Sequence, residues 1–211
     1  NVSREMLQNN PIISKIKQGI TNKILNELKV MSEKENLKYL DFWKQFGIIL
    51  KEGLYENNEY HQKILPLVRF KSSLNSEWIS LDEYVSKIDK NQKEIYYFSN
   101  TELDDKNLTK SPQLETFLDR KIPVLFMRDP VDEFWLQNIG KYKDKEFKSI
   151  TKGKVDFSKS QNTSSNKNLD NKDSKINNLI NVLKEELKEK IKDVIVSNRL
   201  TKSPLILIAD E

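Results

Sequence analysis

The chain has 211 residues, 36% hydrophobic and 32% charged, with a formal net charge of +4. It has no cysteine, which excludes disulfides, thiol chemistry and cysteine zinc sites, and a single histidine, His61, which excludes a His-rich metal site; no metal is expected. Lysine and glutamate interleave instead of forming a basic block, and no apolar run approaches the roughly 20 residues that span a bilayer, so neither nucleic acid nor a membrane span is expected. The chain opens on Asn1, not on methionine, and is expected to be a fragment of a longer protein.

Asn10-Pro11 is a helix start, an N-cap followed by proline in the first turn. Residues 1–9 then read as a loop presenting Arg4 and Gln8. Arg4 suits either a solvated surface or a phosphate brought to the helix start. Ile12, Ile13, Ile16, Ile20, Ile24, Leu28 and Met31 recur at three- and four-residue spacing and predict one long amphipathic helix. Ser32 and Glu35 have capping-box spacing for a second helix, whose buried side is expected at Phe42, Trp43, Phe46, Ile49 and Leu50, with Gly53 as its stop. A shorter helix is expected around "YHQKILPLVRF", completing a three-helix coil in which His61 is structural.

The pattern then changes. Ser80 and Glu83 cap the helix "LDEYVSKI", and "EIYYFS" reads as a strand. Ser111-Pro112 opens a helix carrying Leu114, Phe117 and Leu118, "PVLFM" has the continuous apolar character of a central parallel strand, "DEFWLQNIG" is a helix and "EFKSIT" a third strand. Alternating strands and helices predict a small, mainly parallel sheet covered on both faces, an α-β-α sandwich, so the fold class is α/β. No Gly-rich phosphate loop occurs in it. From Gly153 to Ser174 the chain is rich in Asn, Ser and Lys and reads as a disordered linker. Ile176, Leu179, Ile180, Leu183, Leu187 and Ile191 mark another amphipathic helix, and "VIVSNRL" and "PLILIAD" are expected as strands. The neighbouring acids Asp104 and Asp105, and Glu185 and Glu186, are expected on solvated surfaces, since sequence neighbours do not face one another on a helix.

The blocks "NVSREMLQNN", "FWKQFGIILKEGLYE", "LPLVRFKSS", "SLDEYVSKIDKNQKEIYYFS", "SPQLETFLDRKIPVLFMRDPVDEF" and "VSNRLTKSP" occur in this order. Together they resemble the middle segment of the heat-shock protein 90 chaperones, with wording closest to bacterial and organellar members. The resemblance implies four parts. Residues 1–72 would end the large middle subdomain, with its catalytic loop, and form the three-helix coil. Residues 73–157 would be the small α-β-α subdomain and 158–174 the linker. Residues 175–211 would supply the first α+β elements of a C-terminal domain.

It also implies a function, ATP-dependent assistance of protein folding within the stress response. Arg4 matches the family's arginine that reaches the γ-phosphate of ATP when the N-terminal ATPase domain docks, and Gln8 the glutamine that accompanies it. Pro11 departs from the usual lysine-like residue there and fixes the helix start. Glu133, Phe134 and Gln137 match an acidic-aromatic stretch that contacts unfolded or partly folded clients. ATP and Mg would belong to the whole protein, held mainly by its N-terminal domain, and the fragment alone would be inactive. The family dimerises through helices near its C-terminus; this chain is expected to be a monomer in dilute solution, its apolar stripes being used internally. The likeness of wording places it in a plastid or mitochondrion, with the cytoplasm as the other compartment. The competing reading is a passive protein-interaction module without ATPase coupling.

Overall fold

A computed structural model describes residues 10–56, 58–102, 105–153, 174–197 and 199–209. Arg4, Gln8 and residues 158–173 of the expected linker lie outside these.

Helix α1 (Pro11–Lys34) starts as its sequence predicts: Asn10 is the N-cap, and its side-chain oxygen accepts from the Ile12 amide at 2.9 Å. Its apolar stripe is a different matter. Leu25 and Leu28 are buried, but Ile12, Ile16, Ile20 and Ile24 face solvent, Ile20 with 55% of its surface exposed. The premise of the expected monomer, that every stripe is used internally, does not hold for this helix.

Glu35 is not part of a capping box. It breaks the helix with a backbone outside the helical region (φ −132°, ψ 53°), its amide closing α1 on the Met31 carbonyl, while Ser32 donates back to Lys29. Helix α2 (Asn36–Glu56) runs through Gly53, and its buried ridge is Tyr39, Trp43, Gly47, Lys51 and Leu54. Phe46 and Ile49, expected inside, are exposed. Gly47 is required because a Cβ there would lie 2.8 Å from the Trp43 ring.

The expected third helix is short. A 3-10 turn (Asn58–Tyr60) and α3 (His61–Ile64) lead directly into strand β1 (Arg69–Ser72). Then follow β2 (Asn75–Ser80), α4 (Leu81–Lys87), β3 (Glu94–Ser99), α5 (Asp105–Leu108), a 3-10 turn (Pro112–Leu114) and α6 (Glu115–Asp119). The order continues with β4 (Leu125–Met127), α7 (Val131–Ile139), β5 (Lys141–Tyr142), β6 (Lys145–Ser149) and α8 (Ser174–Leu187). The capping box before α4 is present in full: the Glu83 amide donates to Ser80 Oγ, and the Ser80 amide to Glu83 Oε2 at 2.7 Å.

The strands form one six-stranded sheet in the order β2-β1-β4-β3-β6-β5. The three strands read from the sequence are its centre and pair in parallel, β3 with β4 and β3 with β6. Antiparallel partners extend it at both sides, β1–β2 next to β4 and β5 next to β6, so the complete sheet is mixed. Side chains alternate along the central strands. Ile95, Leu125 and Met127 join the core beneath α2 and α7, whereas Tyr96, Phe98 and Phe126 join the core beneath α6 with Phe117. Tyr84 ties α4 to this centre, donating its hydroxyl to the Pro123 carbonyl at 2.8 Å and accepting from the Tyr96 amide.

Among the described residues, the two strands expected near the C-terminus do not form. Leu205 and Leu207 alternate correctly but are exposed, with only a bridge between Lys152 and Ala209 to pair that segment. Residues 199–209 instead dock on the α/β unit through polar groups. The Arg199 guanidinium donates to the Ile150 and Gly153 carbonyls, Thr116 donates to the Arg199 carbonyl, and Gln113 to the Leu207 carbonyl. The Glu115 carboxylate accepts the amides of Thr201, Lys202 and Ser203 and the Ser203 hydroxyl. These bonds pull the Glu115 carboxyl down to about 2, the Ser203 hydroxyl first and the backbone amides after it. On α8, Ile176, Leu179 and Val182 are exposed, as are Glu185 and Glu186, while Ile180, Leu183 and Leu187 are half-buried.

Candidate functional site: the outer face of helix α7

Helix α7 follows β4 after a short turn, begins behind Pro130 and ends at Gly140, whose φ of 63° suits a residue without Cβ. Asp132 and Glu133 lie in its first turn, where negative charge is favoured. Helical spacing turns Asp132, Trp135 and Leu136 inward and leaves Glu133, Phe134 and Gln137 on the outside.

The inward side fixes the helix. Trp135 is fully buried, 5.5 Å edge-on to Phe147 and 6.2 Å from Phe70. Its indole N–H donates to Asp132 Oδ1 at 2.9 Å, while Asp132 Oδ2 accepts from the Asp129 amide at 3.1 Å. Lys51 of α2, 3% exposed, reaches into this group and donates to Asp132 at 2.9 Å and to Asp129 at 2.7 Å. The Lys51 ammonium also sits 4.7 Å above the Phe70 ring. Burial pushes the Asp132 carboxyl up, opposed by the Lys51 charge and by the hydrogen bonds from Lys51, Trp135 and Asp129. The Lys51 ammonium, both Asp132 oxygens and the Trp135 N–H all have hydrogen-bond partners here, as a buried ion pair requires.

The outward side is what the inner cluster presents. Phe134 is 54% exposed and packs only obliquely on Tyr55 of α2, also half exposed, with ring centroids 5.7 Å apart. Glu133 accepts from the Ser99 hydroxyl at 2.8 Å. Glu133 and Gln137 line one side of a cleft of about 140 Å³ between α7 and the carboxyl ends of β3 and β6. Burial first, and then the Glu133 charge, push the Tyr97 hydroxyl in this cleft up.

The fold therefore brings Glu133, Phe134 and Gln137 to one surface, and divides the adjacent aromatics cleanly: Phe134 out, Trp135 in. Sequence reasoning missed Tyr55, Ser99 and the Lys51–Asp132 pair. Lys51 had a signal, a lysine set in the helical ridge that begins at Tyr39 and Trp43. Arg4 and Gln8 lie outside the described residues. Among the described residues no group of three or more His, Cys, Asp or Glu is placed to hold a metal, and no helix is long and apolar enough to cross a membrane.

A family model described as "Hsp90 protein" matches residues 1–211. The chain belongs to the heat-shock protein 90 family. Chaperone protein HtpG of Roseobacter denitrificans is 42% identical over 216 residues, a match covering all of this chain and 34% of the relative. The corresponding proteins of Paramagnetospirillum magneticum and Rickettsia rickettsii are 42% and 40% identical over 214 and 213 residues, at the same coverage. The middle domain of a putative heat shock protein of Plasmodium falciparum superposes with a TM-score of 0.62 at 32% identity, covering 69% of this chain and 61% of that one. This heat-shock protein 90 chain thus spans about a third of the length of the curated relatives it matches, and bacterial-type members are among them.

Proposed function

We propose that this chain is the middle-region segment of an ATP-dependent molecular chaperone that assists protein folding, and that the outer face of α7 holds unfolded or partly folded clients. The observation that carries the client surface is Phe134, an aromatic ring held in solvent by a helix whose other side is locked by Trp135, Asp132 and Lys51. Exposed aromatics beside a polar rim are the usual anchors of protein interfaces. The titles of the HtpG relatives, which call those proteins chaperones, support the same reading.

In this reading ATP and Mg are held elsewhere in the longer protein, and this chain contributes Arg4, with Gln8 beside it, to the γ-phosphate. A guanidinium supplied from a neighbouring domain offers a planar fork to phosphate oxygens as negative charge spreads over them. The longer protein acts as a homodimer whose N-terminal ATPase domain docks on this segment. The likeness to bacterial and organellar members favours a plastid or mitochondrion as its compartment.

The full-length protein tests both halves. Phe134→Ala should weaken binding of a chemically unfolded client about tenfold, the scale of an aromatic anchor. Arg4→Ala should lower ATP turnover about 10³-fold while nucleotide affinity stays unchanged. Arg4→Lys should also fail, because an ammonium cannot reproduce the fork. Unchanged client binding in the first variant, or full turnover in the second, would remove the corresponding half.

A further inference from the structure

Glu133 does more than flank Phe134. Its carboxylate forms a wall of the cleft at the carboxyl ends of β3 and β6, and such ends are where open α/β sheets collect ligands. At about 140 Å³ the cleft is well below the roughly 300–1,000 Å³ of small-molecule sites, but it has room for one long side chain.

The lining says which side chain. An ionised carboxylate offers about four acceptor positions, and Glu133 uses one, for the Ser99 hydroxyl. Among the described residues no cation pairs with it. Leu136 and Phe147 give the cleft apolar walls, suited to a methylene stem whose charged tip reaches a polar end. Lys152, an exposed residue, lines the cleft as well. A ligand fitting both ends turns its positive charge toward Glu133 and a peptide carbonyl toward Lys152. Phe134, the next residue after Glu133, packs on Tyr55, and the two rings offer an apolar seat outside the cleft. In an extended segment, side chains two positions apart share a face.

We propose that this cleft is a socket for a lysine or arginine side chain, so that the surface around Phe134 selects extended client segments with a cationic residue two positions from an apolar one. The inference rests on the client-binding reading of that surface and names the class of segment it takes.

The test is fluorescence anisotropy on the full-length protein, with a dye-labelled peptide carrying leucine and, two positions later, lysine. A second peptide replaces that lysine by Nε-acetyl-lysine, which keeps the length and removes the charge. The lysine peptide should bind about fivefold more tightly, the upper range for an exposed ion pair, and the preference should shrink as salt rises. Glu133→Gln should reduce the ratio to about one, whereas Phe134→Ala should weaken both peptides together. Equal affinities in the unaltered protein, or a preference that survives Glu133→Gln, overturn the socket. If Phe134→Ala still weakens both peptides in that case, client binding stands and only the socket falls. If Phe134→Ala changes neither peptide, the client surface itself fails, and the socket with it.

Discussion

Helix α7 has nine residues and helix α1 has 24, yet the shorter one is held far more firmly. Helix α7 buries Trp135 and Leu136 and is tied to α2 through the Lys51–Asp132 pair. Helix α1 keeps Leu25 and Leu28 inside and leaves its isoleucine ridge in solvent. The difference lies in the partners. A periodic apolar stripe shows that a helix has a face to cover, but the covering residues, and any polar group that fixes the register, belong to other elements. Around α7 those elements are α2 and the sheet, and their hold on its inner side makes its outer side a defined surface.

The contrast can be broken most severely at Lys51. Lys51→Ala leaves the Asp132 carboxylate buried without its counter-charge and should cost about 3–5 kcal/mol in denaturant unfolding, whereas replacing both partners, Lys51→Met with Asp132→Leu, should restore most of that. A small loss in the single variant would mean that α7 is held by apolar packing alone.

A milder comparison matches like with like. Leu136→Ala on α7 should cost about 2–5 kcal/mol, and Ile20→Ala on α1 less than about 0.5 kcal/mol, because only the first opens a cavity. Urea midpoints of the two variants decide it; equal losses would show that the α1 ridge is covered in solution.

Asn10→Ala should loosen the first turn of α1 by about 1 kcal/mol, seen as faster amide exchange at residues 12–14 with the sheet unaffected. Spread of that effect into the sheet would mean that α1 is coupled to it more tightly than its burial indicates.

The smallest effect concerns the docking of residues 199–209. The Glu115 carboxyl is drawn down to about 2 by its bonds to Ser203 and to the Lys202 and Thr201 amides. A depressed carboxyl contributes stability that is present above its unfolded value near 4.5 and is lost as pH falls toward 2. Proteolysis within 199–209 by an acid-active protease should therefore speed up across that window more than cleavage elsewhere, and Glu115→Gln should abolish the extra pH dependence.

The central elements were legible because their signals are local. The capping box at Ser80 and Glu83, the apolar runs of β3 and β4, and the glycine that ends α7 are all set by near neighbours in sequence. The edge strands lacked such signals. Strand β1 reads "RFKS" and β5 only "KY", and the turn from β5 to β6 uses Lys143 at φ 52°, where glycine or asparagine would have announced a hairpin. Ser32 and Glu35 had the right spacing for a cap, but Ser32 lies inside α1 with its hydroxyl donating back to the Lys29 carbonyl, and the Glu35 amide closes α1 on Met31, so neither group serves the start of α2. Near the C-terminus, β-forming residues found no neighbouring strand. At the site, the outward face of α7 followed from helical spacing. Lys51 and Asp132 are 81 positions apart, and only folding introduces them.

The contacts of Arg199 carry one more consequence. Its guanidinium meets the Gly153 carbonyl across 46 positions of chain, so the docking of residues 199–209 closes a loop and is a first-order event. Its equilibrium is indifferent to dilution, and doubling the intervening length would add only about 0.6 kcal/mol to the closure cost. A single backbone scission between Gly153 and Ser174 would change the kinetic order. The same hydrogen bonds would then hold two molecules instead of one, and their occupancy would fall as the solution is thinned.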